Sequence, residues 1–150
     1  NEMDLNNNIK FNNKILHQSK LLNYFIKDLN NEKISKDTNE ILKKIKSNKK
    51  YIFSRKDKIL LDSLRYDGIN IQKKYDNLYE KDPNIPTDLQ VLINNNNIGM
   101  ILLRLVEIIG EDQIENLGTE TLYFITAVLN ETNLDNLRNK IIIKTLPNRV

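Results

Sequence analysis

The sequence predicts an all-α fold, an irregular and somewhat solenoid-like array of about 7–8 antiparallel helices. Three observations predict it. Apolar residues recur at three- and four-residue spacing through most of the chain, the period of a helix that buries one stripe. Residues that cap helix N-termini stand ahead of several of these stripes. The 4 glycines stand singly, at turns or, for Gly99, on a helix, and the prolines fall outside the stripes, two of them at Asp82-Pro83-Asn84-Ile85-Pro86.

Residues 5–30 read as one long helix, with Phe11, Ile15, Leu22, Phe25 and Leu29 in a heptad-like seam, Gln18 in the missing step, and Leu16 and Ile26 widening the stripe. Packing within the module is the first use of such a seam, and a partner helix the second. Asn30-Asn31 closes this helix. Asp37-Thr38-Asn39-Glu40 has the form of a capping box for the next, whose inner face is Ile41, Leu42 and Ile45. Ser54-Arg55-Lys56-Asp57 is a second such box, opening a helix to about Tyr66 that buries Ile59, Leu60 and Leu64, with Gly68 as a left-handed stop. A helix over about 69–81 carries Ile71, Tyr75, Leu78 and Tyr79. The two-proline stretch then sets the internal boundary: a basic part, 1–82, precedes an acidic part, 87–150.

Thr87-Asp88-Leu89-Gln90 is a third capping box by sequence, and the helix it opens runs toward Asn94-Asn95-Asn96-Asn97, where a break or kink is favoured over an unbroken 88–109. Ile98–Ile109 gives 12 residues with Arg104 and Glu107 inside; a membrane span needs roughly 20 apolar residues. On a helix, Arg104 and Glu107 share a narrow polar strip, and Met100, Ile101, Leu103, Leu105, Val106 and Ile109 take much of the remaining circumference. Such a helix is either the centre of its module or covered outside by a neighbouring subunit. Gly110 ends it, Glu111-Asp112 suit the start of another helix, and Gly118-Thr119 precedes Leu122, Phe124, Ile125, Val128 and Leu129. A last helix over about 133–146 buries Leu134, Leu137, Ile141 and Ile142 and stops at Pro147.

Composition is that of a globular chain, 39% apolar and 29% charged. Residues 1–58 carry 14 Lys/Arg against 7 Asp/Glu, a balance of +7; residues 59–150 carry 9 against 13, a balance of −4. This asymmetry suits steering of a partner or head-to-tail ordering of copies, and equally two solvated faces. With no cysteine and one histidine, His17, neither a thiolate metal site nor a histidine-activated nucleophile can be argued. The glycines form no phosphate-cradling loop, and no cofactor is expected.

Lys43, Lys44, Lys46, Lys49, Lys50, Arg55 and Lys56, interleaved with Tyr51 and Phe53, form the most basic tract. It reads first as a solvated helix end, then as a docking patch for an acidic protein, and third as a nucleic-acid surface using phosphate contacts and stacking. Asparagine makes up about a sixth of the chain, a bias read as composition tolerated on a solvated surface. The start at Asn1 suggests a module cut from a larger protein.

The Asn/Lys/Ile-rich style, the cysteine-free helices and the fragment-like ends look like a malaria-parasite protein. An ordered helical core without catalytic residues, with the Lys43–Lys58 tract and the apolar Ile98–Ile109 helix, is similar to the large adaptor core subunits of the Plasmodium protein export translocon, PTEX. That resemblance implies a ring of copies coupling an unfoldase to a membrane pore protein at the parasitophorous vacuole membrane, with basic and acidic faces meeting between neighbours. Met100 and Tyr51 would then dock partners. The expectation is therefore a non-enzymatic adaptor or scaffold, with a basic nucleic-acid-binding helical module as the alternative.

Overall fold

The computed structural model describes residues 14, 16–27, 29–78 and 83–149; the expectations for Phe11, Ile15, Tyr79 and the first turns of the leading helix lie outside them. The described residues are helical, turn or loop, with no strand among them, as the sequence predicts. The chain divides between Tyr79 and Glu80 into two compact units.

The first unit holds α1 (16–26), α2 (Asn31–Ser47), α3 (Arg55–Tyr66) and a 3-10 segment, Lys73–Leu78. Its second helix starts about two turns earlier than expected. Asn30, in extended conformation, accepts a hydrogen bond from the Glu32 amide at 2.8 Å and caps α2. The Asp37–Glu40 box therefore lies inside the helix and caps nothing. The buried stripe runs Ile34, Thr38, Ile41, Leu42, Ile45. Thr38 hides that continuity in the sequence, because its hydroxyl is buried by donating to the Ile34 carbonyl at 2.6 Å.

The Ser54 box forms as predicted: Asp57 N–H donates to Ser54 Oγ and Ser54 N–H to Asp57 Oδ2. At the other end of α3, Gly68 takes φ +82°, the Gly68 amide bonds the Arg65 carbonyl and the Ile69 amide the Leu64 carbonyl, both at 3.0 Å. This is a Schellman stop, with Ile69 and Leu64 both buried beside it. The α-helix expected over 69–81 is reduced to the 3-10 segment. Asn39 of α2 instead pins the preceding loop, donating to the Asn70 carbonyl at 2.8 Å and accepting from the Gln72 amide at 2.9 Å. Leu21, Leu22 and Phe25 of α1 join Ile34, Ile41, Leu42, Ile45, Ile59, Leu60, Leu61 and Leu64 in the core of this unit.

The second unit holds α4 (Thr87–Asn94), α5 (Ile98–Ile109), a 3-10 turn (Ile114–Asn116), α6 (Thr119–Glu131) and α7 (Asp135–Thr145). Pro86 occupies the N-cap of α4 and no side chain caps it, so the third box does not form: Thr87 is already the first helical residue. The break at the asparagines is real. Asn96 adopts φ +52° and Asn97 caps α5, accepting from the Met100 amide. Arg104 then ties α5 back to α4 through Asp88 at 2.6 Å, with Glu107 at 3.6 Å. No α-helix starts at Glu111-Asp112; the chain turns there before the 3-10 segment.

The central helix of this unit is α6, not α5. It buries Leu122, Tyr123 and every residue from Ile125 to Asn130. Polar groups are accommodated in place, since Thr126 donates to the Leu122 carbonyl at 2.9 Å and Asn130 accepts from Arg138 at 2.9 Å. On α7, Leu137, expected inside, is 40% exposed, while Arg138 is 0% exposed. The Arg138 guanidinium bonds Asn130 and Asn139 Oδ1 and lies 3.6 Å from Asp135. Lys144 and Arg149 fasten the far end of α7 to Glu115, the latter through its carbonyl at 2.8 Å.

Two buried charges should thus dominate point-mutant stability. Arg138→Ala is expected to lower the unfolding free energy by about 3 kcal/mol in denaturant titrations, with Arg138→Lys recovering only part of it because an ammonium lacks the planar fork. Asp57→Ala should lose about 3 kcal/mol as well, through the lost cap and the stranded donors around it.

Candidate functional site

Two features of the sequence were singled out as surfaces, the α5 helix and the Lys43–Lys58 tract, and the structure treats their residues unequally. On α5, Ile101 and Leu105 point into the second unit and are buried, so they belong to its core rather than to an outer surface. Ile109 is half-buried. Met100, Leu103 and Val106 are 45%, 52% and 61% exposed and recur every third residue. That spacing places Leu103 on the side of the helix opposite Ile101 and Leu105. Ile108, and Val91 on α4, are also substantially exposed. The result is an apolar stripe on the outside of a unit whose own core is complete around α6.

In the basic tract, Lys43, Lys44, Lys46, Lys49 and Lys50 are exposed at the end of α2 and in the turn beyond it. Lys56 departs from the expectation. It is buried on α3, where desolvation lowers its pKa against the opposing pull of Asp57. The aromatic residues are not free stacking surfaces either. Tyr51 and Phe53 pack edge to face with centroids 5.5 Å apart, and the Tyr51 hydroxyl donates to Asp57 Oδ2 at 3.1 Å. Burial and then the Asp57 charge push the Tyr51 phenol well above its ordinary pKa, so it stays protonated and keeps donating.

Asp57 gathers a set of groups that the sequence does not announce. Besides the cap and Tyr51, it accepts from Gln18 Nε2 of α1 at 2.8 Å, and Lys14 Nζ stands 3.8 Å away. Gln18, the missing step of the seam, is buried because this bond satisfies it. Lys14 also donates to the Ile52 carbonyl at 3.1 Å and lies over the Tyr51 ring at 5.2 Å.

Beside this network lies a cavity of about 350 Å³. Lys14, His17 and Lys20 line it from the α1 side, Lys44 from α2, and Asn48 and Tyr51 from the loop beyond, with Leu16 and Ile45 as its apolar wall. His17 Nδ1 is buried and has no hydrogen-bond partner among the described residues. Burial first, then the charges of Lys44 and Lys20, lower the His17 pKa, with Asp57 pulling the other way. The sequence reading missed this grouping. Its only signal is Lys14, His17 and Lys20 at three-residue spacing, which a solvated helix face would also show.

No group of His, Asp and Glu among the described residues could hold a metal ion, and no helix among them is long and apolar enough to cross a membrane.

The His17 shift has a stability consequence. Its folded pKa lies below the unfolded value of 6.5, so between the two the unfolded chain binds more protons. Stability is therefore complete above that window and falls as pH drops through it. Thermal unfolding compared at about pH 7.5 and about pH 5.5 should show a loss in the parent chain that is smaller in His17→Gln. Comparison with protein-family models, curated proteins and solved structures gives no match to this chain.

Proposed function

We propose that the chain is a non-enzymatic helical adaptor that binds another protein subunit through the outer face of α5. The observation that carries this reading is the exposed stripe of Met100, Leu103 and Val106 on a helix anchored from behind by Ile101 and Leu105. A stripe of that kind fits an apolar helix face of a partner, with Arg104 and Glu107 as its polar edge. In the export-translocon form of the reading, copies of the chain assemble and join an unfoldase to a membrane pore protein.

The alternative, a basic nucleic-acid-binding module, draws on the exposed lysines of the α2 end. It is the weaker reading because Tyr51 and Phe53 face each other rather than solvent bases.

The first measurement is light-scattering mass against concentration for the parent chain and for Leu103→Asp. Leu103 lies outside the core, so the variant should keep its helicity and melting temperature while losing assembly. Ile101→Asp, a charge in the core, should unfold the second unit instead. A chain that is monomeric at every concentration up to about 1 mM, with Leu103→Asp indistinguishable from it, overturns self-assembly through α5.

A further inference from the structure

We propose that the cavity between α1, the C-terminal half of α2 and the loop that follows is a binding site for a small phosphate-bearing molecule, with Lys20 and Lys44 neutralising the phosphate and His17 giving it a ring N–H.

The lining carries three ammonium groups and an imidazole, with an amide and a phenol beside them and no carboxylate. In a chain with 20 acidic residues, that one-sided lining concentrates positive potential in a concave space. Lys14 is committed to the Ile52 carbonyl and to Asp57. The ammonium groups of Lys20 and Lys44 make no ion pair or hydrogen bond among the described residues, and both are close enough to His17 to depress its basicity. Two like charges held beside an imidazole in one concave space form an arrangement that a dianion would relieve. It would lie between the positive charges and accept from the ring. A monovalent carboxylate offers less charge and fewer acceptor oxygens than this set can use. The volume, about 350 Å³, lies at the small end of ligand pockets. Leu16 and Ile45 offer an apolar surface for the rest of such a molecule.

Binding is coupled to protonation of His17. The charged groups facing its ring are Lys14 and Lys20 on its own side, Lys44 from α2 and Asp57 from α3; Tyr51 stays neutral. An added phosphate dianion cancels the net positive charge of that environment, so the imidazolium becomes easier to form and phosphate binds more tightly as pH falls toward 6.

His17 is the sole histidine of the chain, so its Cε1 proton gives one assignable NMR signal that reports on this cavity. The experiment titrates inorganic pyrophosphate into the full chain at constant ionic strength, set by chloride. The expected result is a saturable shift of the His17 signal with a Kd below about 1 mM and a His17 pKa that rises in the bound state. Lys20→Gln with Lys44→Gln should weaken binding about tenfold or more, whereas Lys49→Gln with Lys50→Gln, the same charge change outside the lining, should leave it unaltered. Both pairs are exposed, and circular dichroism confirms that the variants remain folded. Inositol trisphosphate and AMP, titrated in the same way, assign the source: tighter binding of the first points to a lipid headgroup, and of the second to a nucleotide. A His17 signal that drifts without saturating overturns the proposal, and so does an equal loss in the two lysine pairs. Binding seen only with a long RNA, leaving the His17 signal in place, overturns it too and returns the lysines to a diffuse surface role.

Discussion

The Asp57 carboxylate is the constraint on which the first unit turns. A buried carboxylate is tolerated only where donors surround it, and here the donors come from three separate stretches: Lys14 and Gln18 from the leading segment, Tyr51 from the loop, and the Ser54 amide at the helix start. One anion therefore fixes the register of α1 against α3 and the path of the loop between α2 and α3. It also decides which groups face the cavity: Lys14 and the Tyr51 hydroxyl are drawn toward Asp57, leaving Lys20 and Lys44 to set the cavity's charge. Arg138 performs the corresponding task in the second unit, joining α6 and α7 through asparagine side chains.

In both units the helix buried nearly all round is not the one that hydropathy would choose. The first is centred on α3, which buries Lys56, Asp57, Lys58 and Ser63 beside its leucines, and the second on α6, with Thr126 and Asn130 inside. The more apolar α5 stands at the side. Hydrophobicity measures the tendency of a face to leave water, but which helix becomes central depends on connections and on whether buried polar groups find partners. The excess apolar surface of α5 is consequently left outward, which is what gives the second unit a face to offer.

The all-α class, the Ser54 start of α3, the Gly68 stop, the interruption at Asn94–Asn97 and most core leucines and isoleucines were legible in the sequence because each rests on local chemistry. The failures share a cause. Thr38 broke the apolar count though it is buried, Pro86 took the cap that Thr87 was expected to provide, and Arg138 sits where Leu137 was expected. In each case a polar or imino residue did structural work that pattern counting assigns to another residue type. The cavity was illegible for a further reason: its lining comes from segments as far apart as Lys14 and Tyr51, and nothing in the spacing says that they meet.

Asparagine deserves a different reading from surface filler. With few glycines available, the chain turns to Asn96 and Asn133 for left-handed backbone, to Asn30 and Asn97 for helix starts, and to Asn39 to pin a loop. The side-chain amide bonds locally and tolerates positive φ, so one residue type supplies starts, stops and splints. Compositional drift toward asparagine is then not neutral toward architecture. It enlarges the stock of positions at which a helix can end, and so favours a protein built from many short helices over one built from a few long ones.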